Sequence, residues 1–377
     1  MSEPKKYNKG EWSELYAFLY LLGHGKLYAA DEQLNKIEDM FFPIIKIIRE
    51  EKIGDIYEYH IGEKIKICLN DTYVLELPAG DFLIEAKSLL SGILKNEVDS
   101  RTKMFMDRIY VNNLKAPSKD KSDIVMQLHD IKTGFEEIVG FSIKSKLGSL
   151  PTLLNPSSAT NFIYRISGDT DVIKNIKSNL VNIQGTVKPN SENKSFKIKD
   201  IFTNMTAYGG KLEFYSLDER FNRNLMMIDS QMPKLIAELL VAYYSGAAKS
   251  SVLDILGTIE HNDCLKLGAK GNKHFYSHKV KEFLCSSALG MVPAKEWSGV
   301  DDATGGYIVV KKDGDIVAYH IYNRDKFKSY LLTNTKLDAP QRFDSKPPSK
   351  KKGYDYGYIY ESCGELFMKL SLQIRFK

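Results

Sequence analysis

No long apolar run, no dense cysteine pattern and no strong excess of charge marks this 377-residue chain. Each absence removes a class. A bilayer-spanning helix needs roughly 20 consecutive apolar residues, and no such run occurs. The opening MSEPKKYNKGEWSE lacks the apolar stretch of a signal peptide, so a cytoplasmic protein is expected. The four cysteines, Cys68, Cys264, Cys285 and Cys363, form no CxxC pair. Cys264 and Cys285 flank His274 and His278, but the spacing fits no common zinc finger; buried free thiols in a reducing compartment are expected. No internal repeat is visible, which sets repeat architectures aside. The net charge of +5 is mild and does not by itself indicate nucleic acid. A DNA enzyme also carries carboxylates for metal, which cancel basic residues in the total, so the local distribution of charge matters more.

What is present suits an ordinary globular protein. Hydrophobic residues make up 43% and charged residues 27%, enough for a sizeable core without disulfides. At roughly 100–200 residues per domain, the length allows two domains or one large domain with insertions.

Apolar residues fall at helical spacing over 10–22 (Trp12, Leu15, Phe18, Leu19, Leu22) and over 81–95. Residues 32–50 are expected as a second helical stretch, interrupted by Pro43. Residues 55–77 alternate like short antiparallel strands with a turn at Asn70–Asp71. After a polar loop at 115–122, strands are expected at about 123–130 and 136–145, joined by a tight turn at Ile131–Gly134. Further on come a polar stretch at 145–161, a strand near Phe162–Ile166, a helix near 170–182 and a basic loop at 187–198. Helical patterns fill 229–258, a hairpin over 305–323 turns at Asp313–Gly314, and a helix covers 324–333. A lysine-rich loop at 345–353 precedes strand-like segments at 356–361 and 365–376. The mixture indicates α/β or α+β organisation.

The informative stretch is the pair of strands around residues 123–145. Side chains on a strand alternate faces. Ile124, Met126 and Leu128 on the first strand, with Val139, Phe141 and Ile143 on the second, form one core-packed face. Asp123, Ser142 and Lys144 share the opposite face. With the turn centred near residue 133, Asp123 falls across from about residue 143, while Asp130 falls at the tip, opposite about Glu136. Only Asp123 can then reach Lys144. An aspartate opening one strand, beside acid-x-lysine on its neighbour, is the arrangement of PD-(D/E)xK nucleases. The carboxylate holds a divalent metal through oxygen, the metal polarises a phosphate and activates water, and the lysine offsets charge growing on the phosphorane. The bland alternative is a surface hairpin with ordinary charges.

Ser142 replaces the middle acid. A hydroxyl is a weaker metal ligand, so a second carboxylate has to come from elsewhere. Glu14 is the candidate: Lys9–Gly10–Glu11–Trp12–Ser13–Glu14 resembles the KGxxxE opening of several such nucleases. Glu11, one turn earlier, is its substitute, and an exposed helix glutamate is the bland alternative. Glu85–Ala86–Lys87 also matches ExK but sits in a helical pattern with no aspartate-led strand close before it. His24, His129 and His320 are expected to be structural or surface residues, since this chemistry needs no histidine.

Residues 10–31, 139–166 and 283–336, with the ending LSLQIRF, resemble the HpaII-type restriction endonucleases. The resemblance implies an α/β fold with a restriction-endonuclease-like PD-(D/E)xK core, a mixed central sheet flanked by helices, with additional α+β elements. It implies a magnesium-dependent type II enzyme cutting both strands at CCGG after the first cytosine, with a cognate methyltransferase protecting the host. Carried onto this chain, Lys144 is the catalytic lysine and Asp123 the strand-opening aspartate, with Ser142 in the acid's place. Residues 1–170 are expected to hold the N-terminal helices and catalytic hairpin, and 171–377 the elements that complete the core and contact DNA, as two domains or one.

A four-base palindrome has two-fold symmetry, which a homodimer reproduces. G·C pairs are read in the major groove by Arg or Lys at guanine and by Asp or Glu at cytosine. Candidates are Lys146, Asn155, Ser158, Thr160 and Asn161, just past the catalytic lysine, for which turn formation is the alternative. Arg324, Lys326, Lys328 and Lys336 could grip phosphates or form a solvated helix face. Two other functions share these features: a junction or repair nuclease using the same Asp123 and Lys144, and a non-catalytic DNA-binding protein in which Ser142 marks a lost metal site.

Overall fold

A computed structural model describes residues 8–114, 122–148, 150–180, 197–268, 274–320, 323–342 and 354–377. The polar loop expected at 115–122 lies outside these residues up to 121, as do most of 187–198 and all of 345–353. In chain order the elements begin with α1 (Lys9–His24), β1 (Lys26–Ala30), β2 (Lys36–Lys52), β3 (Asp55–His60), β4 (Lys64–Leu69) and β5 (Thr72–Pro78). Next are α2 (Ala79–Lys95), α3 (Ser100–Arg108), β6 (Ile124–His129), β7 (Glu136–Ser145), β8 (Thr152–Leu154) and β9 (Asn161–Ser167). Then come α4 (Thr170–Leu180), α5 (Ile198–Ala207), β10 (Lys211–Ser216), α6 (Glu219–Ile228), α7 (Met232–Tyr244), α8 (Val252–Asn262) and α9 (His274–Leu289). Last are β11 (Gly306–Val310), β12 (Ile316–His320), α10 (Arg324–Asn334), β13 (Thr335–Leu337), β14 (Ile359–Ser362), β15 (Glu365–Ser371) and β16 (Ile374–Phe376). The fold is mixed α/β.

Two compact units emerge. The first comprises Met1–Pro151, Ala288–Gly290 and Asp301–Tyr330; the second comprises Thr152–Ser287, Met291–Val300 and Leu331–Lys377. The later half of the chain returns β11 and β12 to the first unit.

The first unit is built on a nine-stranded sheet in the order β1-β12-β11-β7-β6-β2-β3-β4-β5, and a further β1–β2 pairing closes a circuit of six strands. β11 runs parallel to β7 and β12 parallel to β1; the other pairings are antiparallel. Helix α1 starts at a capping box, with the Asn8 side chain accepting from the Glu11 N–H (3.0 Å) and the Glu11 carboxylate accepting from the Asn8 N–H (2.8 Å). It ends at Gly25, whose φ of +66° suits a residue without a Cβ. The expected apolar stripe, Trp12, Leu15, Phe18, Leu19 and Leu22, packs into one core with Ile124, Met126, Leu128, Val139, Phe141 and Ile143. All six hairpin residues therefore share a face, as alternation requires.

Residues 36–52 are strand, not the helix expected over 32–50. Ile44, Ile45, Ile47 and Ile48 explain the outcome: β-branched side chains are stiff in a helix and pack well on a pleated surface. Pro43 falls where β2 changes partners, pairing with β1 up to that residue and with β6 and β3 beyond it. A proline without an N–H fits such a hand-over better than a helix interior.

β11 and β12 are buried on both faces. Ile308, Val310, Ile316 and Ala318 join the α1 core. On the other face, Tyr307 and Tyr319 pack against Phe327 of α10, at 4.9 and 5.5 Å between ring centres. Asp313–Gly314 forms the expected turn, and Tyr16 donates its hydroxyl to the Gly314 carbonyl (2.5 Å).

The second unit contains an antiparallel sheet in the order β10-β9-β15-β14 and a three-stranded sheet β13-β16-β8. The helical pattern at 229–258 is realised as α7 and α8, parted at Gly246 with φ +78°. Helix α7 is largely buried, and the Tyr164 hydroxyl donates to the Ala237 carbonyl within it (2.8 Å). Among the described residues no helix is long and apolar enough to cross a membrane.

Candidate active site

β6 and β7 pair from Ile124↔Phe141 to His129↔Glu136. Just before the strand, the Asp123 N–H also donates to the carbonyl of Phe141 (2.8 Å), the residue that Ile124 faces, which holds Asp123 against β7. The register is one residue from that expected, with Asp130 bonded to Phe135 rather than facing Glu136. That placement brings the Asp123 carboxylate within hydrogen-bond reach of Ser142. Asp130 sits at the far end of the hairpin, where it caps the turn by accepting from the Lys132 N–H (2.8 Å).

Three side chains form a hydrogen-bonded chain at this end of the hairpin. The Lys144 ammonium donates to Ser142 Oγ (3.2 Å), and Ser142 Oγ donates to Asp123 Oδ2 (3.2 Å). The same Oδ2 accepts from the Ile143 N–H (2.7 Å). Asp123 Oδ1 has no hydrogen-bond partner among the described residues. Ser142 is buried, while Asp123 and Lys144 are half-buried.

Gly140 makes this corner buildable. A Cβ there would meet Ser122 Oγ at 2.2 Å. With glycine, Ser122 folds across the strand and donates to the Asp302 carbonyl (2.9 Å), while the Gly140 N–H donates to Thr304 Oγ1 (3.2 Å). The residue before Asp123 is thus tied to the segment that leads into β11.

Tyr307, which the sequence pattern did not single out, lies beside the group. It pairs with Ser142 across the parallel β7–β11 ladder, is fully buried, and has Lys144 Nζ 6.0 Å from its ring centre. Burial, then Tyr330 and Asp123, raise its phenol well above the usual value, so the ring stays neutral. The signal that would have found it is the parallel pairing, which is not readable from β11 alone.

Glu14 is half-buried on α1, with carboxylate Oε2 sealed from solvent. Helix α1 packs on the closed face, although its first residue, Lys9, lies against Gly148 just past β7. Glu11 is engaged in the helix cap. Glu85 is buried in α2, where it accepts from the Thr102 hydroxyl (2.6 Å). The helical setting of the second ExK match is therefore real. His320 is buried and stacked on Phe42 at 4.6 Å, and burial pushes its pKa down to about 4.

The DNA-contact candidates differ widely. Lys146 is half-buried, with its ammonium 6.0 Å from the Tyr330 ring centre; burial and the nearby Lys312 lower its pKa. Arg324 pairs with Asp301 at 3.2 Å, Lys326 is exposed and Lys328 half-buried. In the second unit, Asn155 and Ser158 are exposed and Lys336 is half-buried on β13. Asn161 donates to the Asp355 carbonyl (3.2 Å). Thr160 is a correction: it is fully buried, and its hydroxyl both accepts from the Ser157 N–H and donates to the Ser157 carbonyl, each at 2.9 Å. A hydroxyl spent closing its own turn is not presented to DNA.

The model of the HpaII restriction endonuclease family matches residues 8–376. The type II restriction enzyme HpaII of Haemophilus parainfluenzae is 38% identical over 384 residues, covering 100% of both chains. No solved structure matches. With the match running from the first helix to the last strand, this chain belongs to the HpaII restriction endonuclease family.

Proposed function

We propose that the protein is a cytoplasmic type II restriction endonuclease that cuts both strands of DNA at CCGG by magnesium-dependent hydrolysis, on a PD-(D/E)xK core. The observation that carries the reading is the Lys144–Ser142–Asp123 chain on the open face of the β6–β7 hairpin. The full-length likeness to an enzyme named as a type II restriction enzyme supports it.

The donor set fits magnesium. Mg²⁺ takes hard oxygen ligands and is usually held by one or two carboxylates plus substrate phosphate and water. Asp123 offers Oδ1, because the Ile143 N–H and the Ser142 hydroxyl hold Oδ2. Among the described residues no three His, Cys, Asp or Glu side chains cluster as a closed metal site, and an open magnesium site needs fewer. Glu14 is proposed as the second carboxylate. When bound, the ion would polarise the scissile phosphate and make water a better nucleophile. Lys144 offsets the negative charge that grows on the phosphate oxygens. Ser142 orients both charged neighbours, a role that suits a hydroxyl where other nucleases carry an acid. Lys146, two residues further along, supplies positive charge for the DNA backbone.

Palindromic target, homodimer and methyltransferase belong together in this reading: two copies match the two-fold site, and methylation of the same site protects the host. The test is a digest of methylated and unmethylated plasmid with magnesium, followed by sequencing of the cut ends. Discrete fragments ending at CCGG, blocked by methylation, are expected. Nicking that follows DNA branches would point to a junction or repair nuclease, and binding without cutting to a non-catalytic protein.

A further inference from the structure

We propose that Tyr307 is a positioning residue for cleavage, its ring forming the floor on which the Lys144 ammonium is held. The inference rests on the reading of Lys144 as the lysine at the scissile phosphate. Tyr307 comes from a different strand, more than 160 residues further along the chain. Parallel pairing sets it opposite Ser142, so its side chain shares the face of Ser142 and Lys144.

A lysine head rides on a flexible four-carbon stem and needs fixing from more than one side. Ser142 Oγ fixes it from one side at 3.2 Å. The Tyr307 ring lies on another, its centre 6.0 Å from Nζ, at the outer reach of attraction between a cation and a ring face. The ring cannot swing away, because it is fully buried and backed by Phe327 at 4.9 Å.

The choice of a ring has a chemical logic. A carboxylate in this position would pair with the ammonium and cancel the charge that the phosphate needs. A neutral ring face attracts the cation without neutralising it. The phenol stays protonated next to Asp123, so no phenolate forms to bind the lysine.

The test compares wild type, Tyr307→Phe, Tyr307→Leu and a protein with pentafluorophenylalanine incorporated at position 307. Fluorination reverses the charge of the ring face while keeping its shape. Single-turnover cleavage, DNA affinity and thermal melting are measured on each. The fluorinated protein is expected to cut about fivefold or more slowly than Tyr307→Phe, with matching affinity and melting. Tyr307→Leu should be at least as slow as the fluorinated form. Equal rates for the fluorinated and Phe proteins would overturn the proposal, as would a Phe variant as slow as Leu. Because the two rings have the same shape, that pair decides the matter even if the Leu variant unfolds. Wild type failing to cut removes the nuclease reading and this inference together; wild type cutting while the two rings are equal removes this inference alone.

Discussion

Two hairpins lie side by side in the first unit's sheet and live in different environments. β11–β12 is buried on both faces, and its sequence is a near-continuous apolar run, GYIVV and IVAYH. β6 alternates buried and half-buried residues, while β7 is exposed over Glu136–Ile138, buried over Val139–Ile143 and half-buried at Lys144 and Ser145, so that Asp123 and Lys144 are left partly open beside the buried Ser142. A strand with two covered faces has no side left for polar chemistry, so it holds position. A strand with one covered face can be anchored by that face and display reactive groups on the other. In the proposed reading, the closed hairpin gives the site its backing and the open one its reagents.

The sharpest way to break that contrast is on the open face. Asp123→Ala and Lys144→Ala should each lower cleavage by about 10²–10³-fold in a single-turnover assay, with DNA affinity retained. Asp130→Ala, altered at the far end of the same hairpin, should continue to cut. A dead Asp130 variant beside an active Asp123 variant would mean that the site lies at the other end of the strands. On the closed hairpin the loss should appear in stability. Ile308→Ala opens a cavity against α1 and should cost about 2–5 kcal/mol in denaturant unfolding. A smaller loss than a matched change on the open face would show that the two hairpins do not differ as described.

His320 sharpens the comparison through pH. Its folded pKa, about 4, lies below its ordinary 6.5, so the unfolded chain binds more protons between those values. Stability from keeping it neutral is therefore complete above 6.5 and fades as pH falls towards 4, by up to about 3 kcal/mol. The destabilisation caused by His320→Gln should shrink by a comparable amount between pH 7 and pH 4. The same loss at both pH values would mean that burial does not hold this imidazole neutral. A milder effect is expected from Ser142→Ala, which removes the link between Asp123 and Lys144: about tenfold in cleavage rate. Smallest is Glu14→Ala, which should raise several-fold the magnesium needed for half-maximal cutting. Unchanged magnesium dependence would take Glu14 out of the site.

Much of this was legible in the chain. Alternation around residues 123–145 gave the hairpin and its faces, because a half-buried strand writes its burial pattern into every second residue. The turns at Asn70–Asp71 and Asp313–Gly314 were legible because few residues tolerate left-handed backbone, and those positions have φ of +46°, +67° and, at Gly314, +89°. The helix expected at 32–50 failed because its apolar residues satisfy both periods, and pairing with β1, β3 and β6 decided the matter. Tyr307 was hidden for a related reason: a neighbour supplied by parallel pairing leaves no mark in local sequence. Thr160 looked like a reader of bases because a polar type does not reveal whether its hydroxyl is already engaged.

The tie between Ser122 and Asp302 carries a consequence for how the protein comes into being. A ribosome delivers residues 122–145 long before residues 301–320, so a nascent or truncated chain holds Asp123 and Lys144 without the strand that backs them. The corner that holds Asp123 is completed only after most of the polypeptide has been made, because the Asp302 carbonyl that receives the Ser122 hydroxyl is synthesised late.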